Sequence, residues 1–325
     1  MVFDPITNTA FTPSDPPLEE RLMNLPQFGL DEAKLAKGRT DLYLIGLPGS
    51  GKTSLLAGVL KYLTDTGGLR YVSDSINGDT KSTSYSKYYH GLISGLGDDL
   101  LPPPTKMDTL VPMQFDIGSR YKRPMTIIEH SGKVMKALSE VLTTGEDVWH
   151  QTGLGQCLKN DNPKNLLFVF DYSTLTDRNS RFSSVDQELT LHNLLNVLST
   201  DGSGQRGNKD CTMSKVKNVA VVITKSDLME EDSGHPLTHE ERCDIAFQYL
   251  TDRCSAFMNH LGDLCMTYGI NAGHKAHPNE IYVTTFSLGS FTANGLQRLE
   301  FTHVMRLADY IVASTPPKRG LFGWL

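Results

Sequence analysis

The stretch Gly46-Leu47-Pro48-Gly49-Ser50-Gly51-Lys52-Thr53, "GLPGSGKT", constrains the chain more than any other. It fits the pattern G-x-x-x-x-G-K-[ST], and it stands where that pattern has meaning. The apolar run "DLYLIG" (41–46) reads as a buried strand, and "KTSLLAGVLKYLTD" (52–65) as the helix that follows. Glycines let the backbone curl until several N–H groups face one point. The start of a helix adds partial positive charge at that point. Such a loop binds phosphate. Gly46, Leu47, Pro48, Gly49, Ser50, Gly51, Lys52, Thr53 and Ser54 are the expected binding segment. Lys52 is expected to reach the β- and γ-phosphates of a nucleoside triphosphate, and Thr53 to offer a hydroxyl to Mg²⁺.

Beyond this loop, strand-like and helix-like segments alternate. "PMQFDIGS" (112–119) and "RPMTIIEH" (123–130) read as a hairpin, and "GKVMKALSEVLTT" (132–144) as a helix. "NLLFVFDYS" (165–173), "VKNVAVVITKSD" (216–227) and "EIYVTTFS" (280–287) read as further strands. Helices are expected over 185–199, over 240–262 as one long element, and over 295–314. Strands separated by helices imply an α/β fold of three layers, its sheet mostly parallel with one antiparallel strand from the hairpin. We expect an N-terminal arm over 1–38, one domain over 39–315 with a long insert at 67–111, and an apolar tail, "PPKRGLFGWL", over 316–325.

Composition narrows the class. The 325 residues are 39% hydrophobic and carry a formal net charge of -6. An acidic balance argues against general nucleic-acid binding, which relies on Lys and Arg at phosphates. The five cysteines form no C-x-x-C pair, so they are not read as a zinc site. Cys243, Cys254 and Cys265 recur every eleven residues and are expected to share one helix face. The N-terminus lacks a basic start and an apolar core, and no run of about 18 apolar residues occurs. The expected setting is cytoplasmic, with no membrane span.

"TKSD" (224–227) closes a buried strand, so it falls at the carboxyl edge of the sheet, where ligands bind in open α/β folds. A carboxylate there, Asp227, can accept hydrogen bonds from both N1–H and the exocyclic amine of guanine, a donor pair that adenine lacks. Lys225 can lay its methylene stem along a ring face. "EHSGK" (129–133) closes the second hairpin strand.

A phosphate loop, then a hairpin ending in acidic-x-x-Gly, then [NT]-K-x-D, resembles the Ras-like P-loop GTPases of the translation-factor-related class. The likeness covers about residues 40–314 and is one of motif order. The long insert is faintly reminiscent of the large bacterial GTPases of multi-gene cassettes. The resemblance implies a P-loop NTPase fold of Ras-like form, GTP or GDP with Mg²⁺ as ligands, and a protein partner. It implies that Glu129 stands at the acidic Mg²⁺ position, one methylene longer than the usual Asp. It implies that the Gly132 N–H meets the γ-phosphate, and that Thr105 or Thr109 is the switch threonine. Thr224 replaces the usual Asn, and Ser287-Leu288 stands where a backbone N–H meets the guanine oxygen. Two other readings stay open. Asp171 after "NLLFVF" also fits the Mg²⁺ carboxylate of an ATPase, and the chain also fits a nucleotide-binding interaction module without turnover.

The residue after Gly132 orients the attacking water in that family, and here it is Lys133. An ammonium donates hydrogen bonds but accepts none, so it positions water poorly. Lys52, Glu129, Gly132 and Lys133 are thus the expected catalytic set, with slow or partner-assisted hydrolysis. Single-turnover GTP hydrolysis by the isolated protein is expected to be slow. Fast turnover that is unchanged in Lys133→Ala contradicts this.

Overall fold

Leu42, Tyr43, Leu44 and Ile45 are all buried, and they alternate between two cores. Successive side chains of a strand point to opposite faces, so such a run belongs in a sheet covered on both sides. It forms β1 (Thr40–Ile45) at the centre of a seven-stranded sheet. The structure is a computed structural model. It describes residues 35–72, 81–97, 101–102, 110–118, 122–132, 134–135, 153–178, 181–200, 211–272, 280–292 and 295–317.

The other strands of this sheet are β2 (Leu69–Tyr71), β3 (Leu110–Ile117), β4 (Arg123–His130), β5 (Lys164–Asp171), β6 (Val216–Thr224) and β7 (Tyr282–Phe286). Their order is β2-β3-β4-β1-β5-β6-β7. The pairs β1–β4, β1–β5, β5–β6 and β6–β7 are parallel. β3 is antiparallel to both β2 and β4, so it alone runs against the others. The carboxyl ends of β1, β4, β5, β6 and β7 therefore share one edge.

The helices are α1 (Lys52–Asp65), α2 (Lys81–Gly97), α3 (Gly153–Lys159), α4 (Tyr172–Leu175), α5 (Ser184–Ser199), α6 (Asp227–Ser233), α7 (His239–Arg253), α8 (Ser255–Tyr268) and α9 (Thr302–Ala313). On one face α1, α2 and α9 bring Leu56, Leu60, Leu92, Val304 and Leu307 against Leu42 and Leu44. On the other, α3, α5, α7 and α8 bring Leu154, Leu195, Leu250 and Phe257 against Tyr43 and Ile45. The Phe257 ring meets the Phe168 and Phe170 rings edge-on, each at 5.2 Å between centroids. Each such fully buried side chain stabilises the fold by roughly 1.5–3 kcal/mol relative to exposure.

Three expectations change. The long helix over 240–262 is two helices, α7 and α8, broken at Cys254 (φ -134, ψ 38). The break is held by Glu188 of α5, whose Oε1 accepts from the backbone N of Ala256 at 2.9 Å and of Phe257 at 3.4 Å. A carboxylate at those first-turn donors starts a new helix. The eleven-residue cysteine spacing thus spans two helices; Cys254 and Cys265 are buried, and Cys243 is half-buried. Next, 295–299 is strand and not helix. β8 (Gly289–Thr292) and β9 (Gly295–Leu299) form a separate antiparallel hairpin, and α9 begins only at Thr302. Gly289 has φ 134, and a Cβ there would lie 2.0 Å from the Arg298 carbonyl oxygen, so the hairpin's base admits only glycine. Finally, the insert at 67–111 supplies β2 and α2 and extends the sheet. Leu35, within the expected arm, is buried in the core. Of the expected helix over 132–144, residues 132, 134 and 135 are helical, while residues 133 and 136–144, like the tail from 318 on, lie outside the described residues.

The amino edge of the sheet closes with a polar cluster. Asn160 Nδ2 donates to Asp41 at 2.7 Å and Asn162 Nδ2 at 3.2 Å. Lys164 Nζ donates to the carbonyl oxygens of Asn160 at 2.6 Å and Asn162 at 2.9 Å. Burial pushes Asp41 up to about 6 and Lys164 down to about 8, and each charge partly offsets the other's shift. Removing one member strands the rest without water. Asp41→Ala is expected to cost roughly 3 kcal/mol in urea unfolding at pH 7; a loss within about 0.5 kcal/mol, the size of an ordinary surface change, contradicts this account.

Candidate functional site

β1 ends at Ile45 and α1 begins at Lys52, so residues 46–51 turn the chain within one short loop. Gly49 and Gly51 take φ of 78 and 79, the left-handed region that glycine enters without strain. Gly46 lies flat against β5, where a Cβ would come 2.4 Å from the Val169 carbonyl oxygen. Lys52 is 6% exposed, and its Nζ donates to the carbonyl oxygens of Gly46 at 2.8 Å and Leu47 at 2.9 Å. Burial lowers its pKa to about 8, with the Glu129 charge opposing, so the ammonium persists at pH 7.

Glu129, near the end of β4, is fully buried, and its Oε1 accepts from the Thr53 hydroxyl at 2.7 Å. Gly132 sits against the 46–51 loop: a Cβ there would lie 2.6 Å from the Pro48 nitrogen and 2.7 Å from the Leu47 carbonyl. Only glycine allows this approach. His130, between the two, is buried, and burial followed by the Lys52 charge lowers its pKa to about 4.

The loop after β6 joins this site. Thr224 Oγ1 lies 2.8 Å from the Ser50 carbonyl oxygen and 3.0 Å from that of Phe170. Asp227 opens α6, and Ser287 Oγ, just past β7, donates to its Oδ1 at 3.1 Å. Burial raises the Asp227 pKa. A cavity of about 330 Å³ lies between these loops. Gly49, Gly51 and Ser54 line it together with Thr224, Lys225 and Asp227 and with Phe286, Ser287 and Leu288. The volume falls in the range of small-molecule sites.

Most residues singled out in the sequence thus converge at the carboxyl edge. The Lys225 ammonium, to which the sequence reading gave no partner, is engaged by Asp171 Oδ2 at 2.6 Å. Asp171 also accepts from Ser173 N at 2.9 Å and Ser173 Oγ at 2.6 Å. Sequence reasoning read Asp171 only as a metal-binding alternative. Its partnership with Lys225 arises from the pairing of β5 with β6, which brings Asp171 opposite Thr224 and which no local sequence signal announces. Phe286, which walls the cavity, was not anticipated. Thr105, Thr109 and Lys133 lie outside the described residues.

The oxygen donors Thr53 and Glu129 suit a hard divalent cation such as Mg²⁺, which takes one or two protein oxygens plus phosphates and water. Among the described residues no cluster of three or more His, Cys, Asp or Glu can hold a metal by itself. Among them, too, no helix is long and apolar enough to cross a membrane.

α6, which carries Asp227, is anchored from behind. Arg242 NH2 donates to Glu230 Oε1 at 2.5 Å, and Arg242 NH1 lies 3.0 Å from His303 Nε2. His303 Nδ1 is 3.1 Å from His239 Nδ1. Burial, then the charge of Arg242, lowers the His303 pKa to about 4. A neutral His303 in the fold, against an ordinary one when unfolded, binds fewer protons than the unfolded chain between about pH 4 and 6.5. Its contribution is fully present above that window and is lost as pH falls through it.

No protein-family model matches the chain, and no curated protein matches its sequence.

The stability advantage of wild type over His303→Gln is therefore expected to shrink between pH 6.5 and 4, by up to about 3 kcal/mol. Urea titrations of both proteins across that range measure it. A difference independent of pH contradicts the assignment.

Proposed function

We propose that this protein binds guanine nucleotides with Mg²⁺ through a P-loop NTPase domain of Ras-like form and acts as a GTP/GDP switch. The observation that carries the reading is the convergence, around one cavity, of the 46–53 loop with Thr224, Lys225 and Asp227. The strand order supports it, since the loop after β1 and the loop after β6 reach the same edge across β5.

The Gly46–Thr53 backbone and Lys52 hold the phosphates. Thr53 and Glu129 would hold a Mg²⁺ ion, and such an ion would supply neutralisation of phosphate charge. Gly132, packed on Leu47 and Pro48, offers its N–H at the terminal phosphate. Asp227, steadied by Ser287, accepts from the guanine donors. The direct contact between Thr53 and Glu129 favours Glu129 over Asp171 as the metal carboxylate, since Asp171 is engaged with Ser173 and Lys225. Hydrolysis is slow or partner-assisted, on the chemistry of Lys133.

Calorimetry with GTP, GDP and ATP tests the reading. Both guanine nucleotides are expected to bind at least tenfold more tightly than ATP, and Asp227→Ala is expected to erase that preference. Equal binding of ATP, or a preference untouched by Asp227→Ala, refutes it.

A further inference from the structure

Lys225 is one of the three non-glycine residues with positive φ among those described, at φ 57. A side chain in that region costs free energy and persists where its surroundings hold it. The turn is held by Leu228 N donating to the Lys225 carbonyl at 3.1 Å, and the Lys225 ammonium is held by Asp171 at 2.6 Å. The carboxylate is 3% exposed, and the lysine side chain 40%. Asp171 has its own supports. Gln187 of α5, fully buried, accepts from the Asp171 backbone N at 2.9 Å, and Ser173 gives both its N and its Oγ to the carboxylate. Ser173 Oγ also lies 3.3 Å from Lys225 Nζ. A buried carboxylate fixed by two hydrogen bonds is a rigid anchor, and a charge-assisted bond to it is strong.

The same lysine lines the cavity. With its ammonium engaged at the end of β5, the charge is not offered to the phosphates across the cavity, and what the lysine adds to the wall is its methylene stem. We propose that Asp171 is the positioning residue of the base end of this site: it pins Lys225 so that the stem forms a flat apolar wall for a planar purine ring, with Asp227 reading the ring's edge. The inference rests on the nucleotide reading above. It gives Asp171 a role in affinity for the nucleoside part and none in holding phosphate.

The test is calorimetry with GDP and with inorganic pyrophosphate on wild type, Asp171→Asn, Lys225→Met, Ser173→Ala and the Asp171→Asn/Lys225→Met double variant, with thermal melts to confirm folding. Asp171→Asn and Lys225→Met are each expected to weaken GDP about tenfold, and the double variant no further, because both remove one interaction. Ser173→Ala, which only loosens the anchor, is expected to weaken GDP about threefold. Pyrophosphate affinity is expected to stay unchanged throughout. Additive losses in the double variant, or equal weakening of pyrophosphate and GDP, overturn the positioning role and point to a scaffold effect. Should Asp171→Asn fail to fold, Ser173→Ala decides: unchanged GDP affinity there overturns the inference. Wild type that does not bind GDP refutes the guanine reading itself and this inference with it, whereas GDP-binding wild type with unaffected variants refutes the inference alone.

Discussion

The hydroxyl of Thr224 sits between the Ser50 and Phe170 carbonyl oxygens, at 2.8 and 3.0 Å. That small contact ties together the ends of three neighbouring strands: β6, which carries Thr224, β5, which carries Phe170, and the loop that leaves β1. The rest of the site depends on it, because the 46–53 loop and the "TKSD" loop are otherwise separated by a whole strand. A parallel sheet makes such a tie feasible by delivering all the strand ends to one edge. The methyl-bearing wall of Thr224 also lies 3.4 Å from where a Cβ on Gly51 would be, so the glycine and the threonine fit one another closely.

A second contact joins the opposite flank. Glu129 meets Thr53, and Gly132 lies against Leu47 and Pro48. The loop after β1 is thereby gripped from β4 on one side and from β6 on the other. Close packing transmits displacement, since interiors repack in steps and do not compress. At Gly132 that packing is so close that a larger residue collides with the loop.

Much of this was legible in the chain, and the reasons are physical. Helix α1 begins and ends where its apolar spacing says, at Lys52 and Asp65. β1, β5 and β6 are continuous apolar runs because both faces are covered, and such runs are easily recognised. The misses have a common origin in contacts distant along the chain. Nothing near Cys254 announces a helix break, because the group that restarts the helix, Glu188, comes from α5. The engagement of Lys225 by Asp171 joins two strand ends that are neighbours only in the folded sheet. The β8–β9 hairpin is different. Asn294-Gly295 is a local turn signal in the sequence, and the expected helix over 295–314 ran through it.

The central position of β1 has a consequence for how the chain is made. β1 is the first strand among the described residues, yet its partners are Met125–Ile128 of β4 and Lys164–Phe168 of β5. On a ribosome, a strand apolar on both faces must wait on the order of ten seconds before the second partner emerges. Until then β1 has only β4 along one edge, with α1 and α2 on one face, and its other edge stays open. Distant pairing also slows the search for the native register. The nascent domain is therefore most exposed to aggregation before residue 171 has been synthesised, and a chaperone that acts on it has its main task in that window.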